Sequence, residues 1–344
     1  MKKISILLII SIIFCSFNLY AQPEKHHYKG DSKIYMYLDT RLDGRAFYYD
    51  NQDTEAGFIG RYFMFNIQGK IDEHFSYKFR ERLTVPSVEP LEFSNNIDFA
   101  YLQYSPNKNL DFIFGKQMVN IGGFEWDKAP QDVFIYGKLW GNSTPFKNGI
   151  TARYNTNNQK HSLLAQVINS PFATKAYNNT FGYSILWYGN MNWFHTIYSI
   201  NAFELSKGDF IYYIALGNKI NYQKFTAEID YMNRFLSGQK NYFDDYSLML
   251  KLCYSISDKW TIFTKGDYDR NDEDMPVDTS MIYDHAVIPG VNSTTLGIGI
   301  TFFPILNQHK KLRFHAFWAT NNVNPKKQEV NIGLTWRITA INRN

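Results

Sequence analysis

Cysteine is nearly absent from this chain. It has two in 344 residues, and one of them, Cys15, lies inside the N-terminal apolar stretch. If that stretch is removed, Cys253 is the only thiol left, so no internal disulfide can staple the fold. Past the N-terminal stretch there is no apolar run of about 18 residues, which excludes a helical membrane span. Strong charge of either sign is also missing. The formal net charge is +4, falling to +2 when Lys2 and Lys3 are lost, and this balance excludes a nucleic-acid partner or any strongly polarised one. Helical periodicity is almost nowhere to be found. The eight histidines are scattered, with no G-x-S-x-G and no paired carboxylates beside them.

The N-terminal stretch reads as a leader. MKKISILLIISIIFCSFNLYAQ has two lysines, an apolar segment and a small residue, Ala21, in the order of a secretory signal. Cleavage is expected after Ala21, giving a signal peptide at 1–21 and a mature chain at 22–344. Phe14 stands before Cys15 where lipid attachment needs a small residue, so a lipoprotein is not expected.

Aromatic residues are abundant, at 17%, with 25 Tyr and 28 Phe, beside 20% charged residues. Their spacing alternates. In EVNIGLTWRI, at 329–338, Val330, Ile332, Leu334, Trp336 and Ile338 share one parity, while Asn331, Thr335 and Arg337 share the other. A strand sends these two sets to opposite faces. The alternation predicts sixteen strands, at 33–48, 57–70, 73–85, 96–105, 110–118, 148–156, 159–168, 181–188, 191–203, 209–220, 222–234, 243–256, 258–268, 294–304, 310–320 and 329–338. Odd-numbered connections are expected to be long, including 119–147, 204–208 and 269–293; even ones, such as Asn157–Asn158 and Ile305–His309, are expected to be tight.

That rhythm fits an all-β transmembrane antiparallel barrel with short periplasmic turns and longer outer loops. The facing supports it. In the first strand Tyr35, Tyr37, Asp39, Arg41, Asp43 and Arg45 oppose Ile34, Met36, Leu38 and Leu42. Unpaired charges cost several kcal/mol in a dry core, so the ionic face must be wet and the apolar face must meet lipid. The expected location is the bacterial outer membrane, among its lipid and lipopolysaccharide. Sixteen strands leave an aqueous channel, and only about eleven residues, Gln22–Ser32, precede the first strand, too few for a plug domain.

The stretch FGKQMVNIGGFEWDKAPQDVFIYG, at 114–137, resembles the phosphate-selective porin O and P family, particularly its Bacteroidetes-type members. Gly115–Lys116 and Gly122–Gly123–Phe124–Glu125 stand where that family has a Gly–basic strand end and a Gly/Phe/Glu neck. Weaker likeness continues in DFAYLQYS at 98–105, GITARYN at 149–155 and AQVINSP at 165–171. The resemblance implies a homotrimeric channel passing small solutes or anions, with no cofactor. It also implies that 119–147 folds inward as a constriction loop. TAINRN after the last strand departs from the terminal aromatic usual in bacterial barrels.

The expected pore-lining cations are Arg41, Arg45, Lys78, Arg80, Arg82, Arg153, Lys251, Lys265, Arg313 and Arg337, with Asp39, Asp43, Glu228, Asp230 and Asp267 against them. Lys78, Arg80 and Arg82 share one parity and could form a cation track for oxyanions. The competing reading is a wall whose cations pair with lumen acids. Lys116, Glu125, Asp127, Lys128, Asp132 and Lys138 are assigned to the constriction. Asp267, Asp269 and Asn271 have calcium-loop spacing, but Asp272 occupies the position that needs glycine and Asp278 replaces the final glutamate. No metal site is therefore expected there or at His26–His27. Two other functions stay open: an accessory barrel of a secretion or assembly complex, and a barrel enzyme using His195 and Ser199.

Overall fold

A computed structural model of the chain describes residues 34–50, 53–83, 96–143, 145–172, 179–239, 241–272, 286–306, 308–323 and 326–343. The leader and His26–His27 lie outside them, as does Asp278. Sixteen strands close into one barrel: β1 (Ile34–Tyr49), β2 (Glu55–Lys70), β3 (Phe75–Arg82), β4 (Ile97–Asn107), β5 (Leu110–Met118), β6 (Phe146–Asn155), β7 (His161–Asn169), β8 (Phe181–Met191), β9 (Phe194–Ser206), β10 (Asp209–Tyr222), β11 (Phe225–Leu236), β12 (Asp245–Ser255), β13 (Trp260–Asn271), β14 (Asn292–Phe302), β15 (Leu312–Asn321) and β16 (Lys327–Arg343). Each pairs antiparallel with its sequence neighbours, and β1 pairs with β16 to close the ring. Closure leaves no free edge along the wall, so every strand can satisfy its backbone groups inside lipid. Among the described residues no helix is long and apolar enough to cross a membrane, which says nothing against crossing by strands.

Alternation produces the two faces. Ile185, Ile200, Ile298 and Ile332 point outward and are 58–66% exposed. On the same strands Ser184, Asn201 and Asn331 point inward and are buried. Handing the outer face to lipid removes its apolar surface from water, worth about 1.5–3 kcal/mol for each large side chain fully transferred. Exposed Tyr154, Trp193, Tyr222, Tyr254 and Trp260 gather at the end carrying the even turns. This is a girdle at one membrane–water interface.

Four expectations need correction. The strand β16 continues through TAINR, whose residues pair with Ile34–Tyr37, so that segment belongs to the wall. The strand β13 runs to Asn271, which places Asp267, Asp269 and Asn271 on a strand instead of a calcium-like loop. The β9–β10 connection, expected to be long, is only Lys207–Gly208. Gly208 takes φ +87°, which a two-residue turn can use because glycine carries no Cβ penalty there. Conversely, the β14–β15 turn spans Phe303–Lys311. Pro304 has no N–H for the ladder, and the turn folds on itself with His309 stacked on Phe303 at 4.3 Å.

Constriction loop and pore wall

The loop after β5 turns inward because glycines let its backbone press on the far wall. A Cβ on Gly122 would sit 2.7 Å from Ile197 O, and Gly123 has φ +112°. At this approach Gly122 N donates to Ser199 Oγ at 2.8 Å. The next two amides, of Phe124 and Glu125, both donate to the Asp230 carboxylate at 2.8 Å. The Gly/Phe/Glu segment is therefore the loop's first mooring, and Ser199 and Asp230 are its cleats. Ser199, considered with His195 as a catalytic pair, is engaged by this amide and donates to Asn201 Oδ1 at 2.7 Å.

Two charged contacts follow. Tyr188 OH donates to Asp127 Oδ1 at 2.8 Å, and Lys128 forms an ion pair with Glu228. Burial disfavours the Lys128 ammonium, but Glu228 outweighs it and holds the loop lysine above its ordinary pKa. Glu125 reaches Lys265 and also accepts from Gly137 N at 2.8 Å.

Beyond a 3-10 turn at Pro130–Asp132, the chain passes along β15, β1 and β13. Alternate carbonyls are each taken by a wall cation. Arg313 Nη2 donates to Gln131 O at 2.6 Å, Arg41 Nη1 to Val133 O at 2.8 Å and Lys265 Nζ to Ile135 O at 2.7 Å. Between them Phe134 stacks on His315 at 4.4 Å and on Phe263 at 5.6 Å. The segment then reaches β2, where Tyr136 OH lies 2.6 Å from Tyr62 OH. A five-residue helix, α1 (Lys138–Asn142), carries the chain back. The Lys138 amide bonds to Asp269 there.

The wall cations are mostly spoken for. Arg41 pairs with Asp43 at 2.8 Å, Arg45 with Glu329 at 2.8 Å and Arg153 with Asp111 at 2.7 Å. Arg313 pairs with Asp132 at 2.5 Å, and Arg337 grips both oxygens of Asp39 at 2.6 and 2.8 Å. Lys265 also meets Asp267 at 2.9 Å. Arg80 and Arg82 share Asp98, each at 2.8 Å. Among the described residues, Lys78 and Lys251 are the expected pore cations with no carboxylate at ion-pair distance; they lie over the Phe99 ring at 4.0 Å and the Phe263 ring at 5.4 Å. Lys116, assigned to the constriction loop, sits on β5 and is 9% exposed. The loop itself ends at residue 145, because Phe146 and Lys147 open β6.

Asp98 is the residue that sequence reading missed. Simple alternation groups it with Ala100 and Leu102 on the lipid face. A register shift between Arg80 and Glu81 instead turns it inward, since a bulge adds one residue to one strand and re-aims its side chain. Asp111 and Glu329 were likewise not foreseen as partners.

A closed sixteen-strand barrel with an ionic lumen, crossed by an inward loop, is the architecture of an outer-membrane diffusion channel. The family model for phosphate-selective porins O and P matches residues 35–245, and the chain belongs to that family. It is a porin of the bacterial outer membrane, open to passive diffusion. No curated protein sequence matches it. Solved structures share its fold at low identity. The channel DcaP of Acinetobacter baumannii has a TM-score of 0.62 at 10% identity, covering 93% of this chain and 100% of that one. The anion-selective porin of Comamonas acidovorans gives 0.63 at 9%, covering 89% and 100%. OmpF of Salmonella typhi, in complex with daunomycin, gives 0.63 at 12%, covering 91% and 99%.

Proposed function

We propose that the channel is a general diffusion porin for small hydrophilic solutes, with a mild preference for anions and no dedicated phosphate track. One observation carries the reading: the arginines that could form a track are held by carboxylates or by loop carbonyls. Arg80 and Arg82 share one acid, so the row that begins at Lys78 presents far less charge than its sequence promises. Lys78 and Lys251 supply the remaining preference. A fold shared with an anion-selective porin is compatible with this sign. A homotrimer exported by the 1–21 leader completes the proposal; one related structure, OmpT of Vibrio cholerae, is described in a trimer form.

The test is planar-bilayer conductance of the purified protein, with reversal potentials across a potassium chloride gradient and phosphate added to one side. A general porin gives a modest anion-leaning reversal potential and chloride current indifferent to phosphate. Phosphate block of chloride current would overturn the reading in favour of a track. Absence of current, together with a stable hetero-complex, would favour the accessory-barrel alternative.

A further inference from the structure

We infer that the outer rim of the barrel's periplasmic end, along the turns β10–β11, β12–β13 and β14–β15, binds the headgroup phosphates of an anionic glycerophospholipid in the leaflet that faces the periplasm.

Ile34 pairs with Arg343, so both ends of the described chain lie at the end that carries the even-numbered turns. Short turns mark the periplasmic side of such barrels. The three turns are Gln223–Lys224, Ile256–Lys259 and Phe303–Lys311. They carry Lys224, Lys259, Lys310 and Lys311 against one acid, Asp258. All four lysines are exposed. Among the described residues none of the four is ion-paired with a carboxylate, unlike Arg313 and Arg337 beside Lys311.

The backbone holds these turns in register. Ser255 N donates to Lys224 O at 2.8 Å, Phe303 N to Lys259 O at 2.8 Å and Arg337 N to Lys311 O at 3.0 Å. Successive turns stand two strand widths, about 10 Å, apart. Lys224 Nζ also donates to the Ile256 carbonyl at 3.4 Å, which keeps its ammonium at the boundary between two turns.

Next to the lysines, the outer face is apolar and aromatic. Phe225, Tyr254 and Ile262 are cross-strand neighbours in one outward row, 38–46% exposed. Trp260 stacks on Phe302 at 4.4 Å, and Phe302 on Phe314 at 6.2 Å, as a second row. Rings of this kind settle at headgroup level, and lysine stems can lie along them with the ammonium in water. An anionic lipid uses both parts, its phosphate on the cations and its glycerol and upper acyl chain on the rows. A soluble anion or a cell-wall polymer has no use for rings that face hydrocarbon. The opposite end of the barrel leans the other way: the connection 272–291 has five acids and no lysine or arginine.

Native mass spectrometry tests the collar on the folded barrel, released from detergent containing equal amounts of phosphatidylglycerol and phosphatidylcholine. The unaltered protein should retain phosphatidylglycerol in excess, and each lysine changed to glutamine should reduce that excess about fivefold. The quadruple variant Lys224→Gln, Lys259→Gln, Lys310→Gln, Lys311→Gln should retain the two lipids equally. The same four positions changed to arginine should keep the preference, and Lys207→Gln, on the outer β9–β10 turn, should leave it unchanged. The pairs Lys224→Gln with Lys259→Gln and Lys310→Gln with Lys311→Gln are read alongside, so a folding defect in the quadruple variant does not remove the comparison. Equal retention by the unaltered protein would overturn the inference, as would a preference that survives in the glutamine variants. Displacement of the lipid by inorganic phosphate would reject it in favour of a soluble-anion site. Sedimentation with peptidoglycan that depends on the four lysines, without any lipid preference, would reject it in favour of a cell-wall contact.

Discussion

At the scale of single residues, the wall is governed by who shares a carboxylate with whom. Asp98 neutralises only one of the two arginines it touches, and its own side chain is 2% exposed. Asp98→Asn would leave Arg80, 7% exposed, without its counter-ion. Removing one partner of a buried pair costs about 3–5 kcal/mol, so the variant barrel should unfold at a lower temperature on heated gels. Its lumen also gains a positive charge, and the reversal potential should move toward anions. Arg82→Gln should move it the other way, toward cations, because Asp98 then neutralises Arg80 and the cluster loses its net positive charge. Shifts of the same sign from the two variants would contradict the shared-acid geometry. Gly333 offers a second residue-level test. On β16, between β1 and β15, its missing side chain lets Asp43 and His315 meet at 3.1 Å. A Cβ there would lie 2.5 Å from Asp43 Oδ1 and 2.6 Å from His315 Nε2. Gly333→Ala should therefore cost about 1–3 kcal/mol through overpacking. Gly57→Ala, whose Cβ would meet nothing within 4 Å, should be neutral in the same melt.

At the scale of elements, what was legible in the sequence follows from what repeats. All sixteen strands are visible because alternation is local and the turn residues punctuate it. Leu296, Ile298 and Phe314 could be assigned to lipid without any knowledge of their neighbours. The pairing of charges was not legible, because partners such as Arg45 and Glu329 meet only when the barrel closes. Asp98 was hidden for a different reason: one bulge inverts parity locally. The inward course of the loop came from family likeness, and its cause, Gly122–Gly123 lying against β9, appears only in the fold. That mooring can be loosened. Asp230→Ala removes the acceptor of two amides, and Phe134→Ala removes the ring packed between His315 and Phe263. Both changes should raise single-channel conductance and current noise while the barrel still forms. An unchanged conductance in the double variant would mean that the loop is not the narrowest point.

At the scale of the whole molecule, the barrel has to satisfy two solvents at once, and one substitution on each face tests that requirement. Ile298 is 58% exposed on the outer face of β14. If Ile298 lies near the midplane, an arginine there would face hydrocarbon and cost about 2–4 kcal/mol. Assembly into membranes should fall accordingly. Arg313 on the next strand faces inward, so its replacement leaves the lipid face untouched. Sequence alone expects Arg313→Ile barely to affect insertion. The fold adds a consequence for the loop: Arg313 holds both Asp132 and the Gln131 carbonyl, so its loss should free the loop while insertion proceeds. The two variants should separate cleanly. Ile298→Arg lowers the yield of heat-modifiable barrel, while the molecules that do fold conduct normally. Arg313→Ile folds in normal yield and conducts with a larger, noisier current. If Arg313→Ile impaired insertion as much as Ile298→Arg, the assignment of inner and outer faces would fail, and with it the division of the wall into a lipid side and a water side.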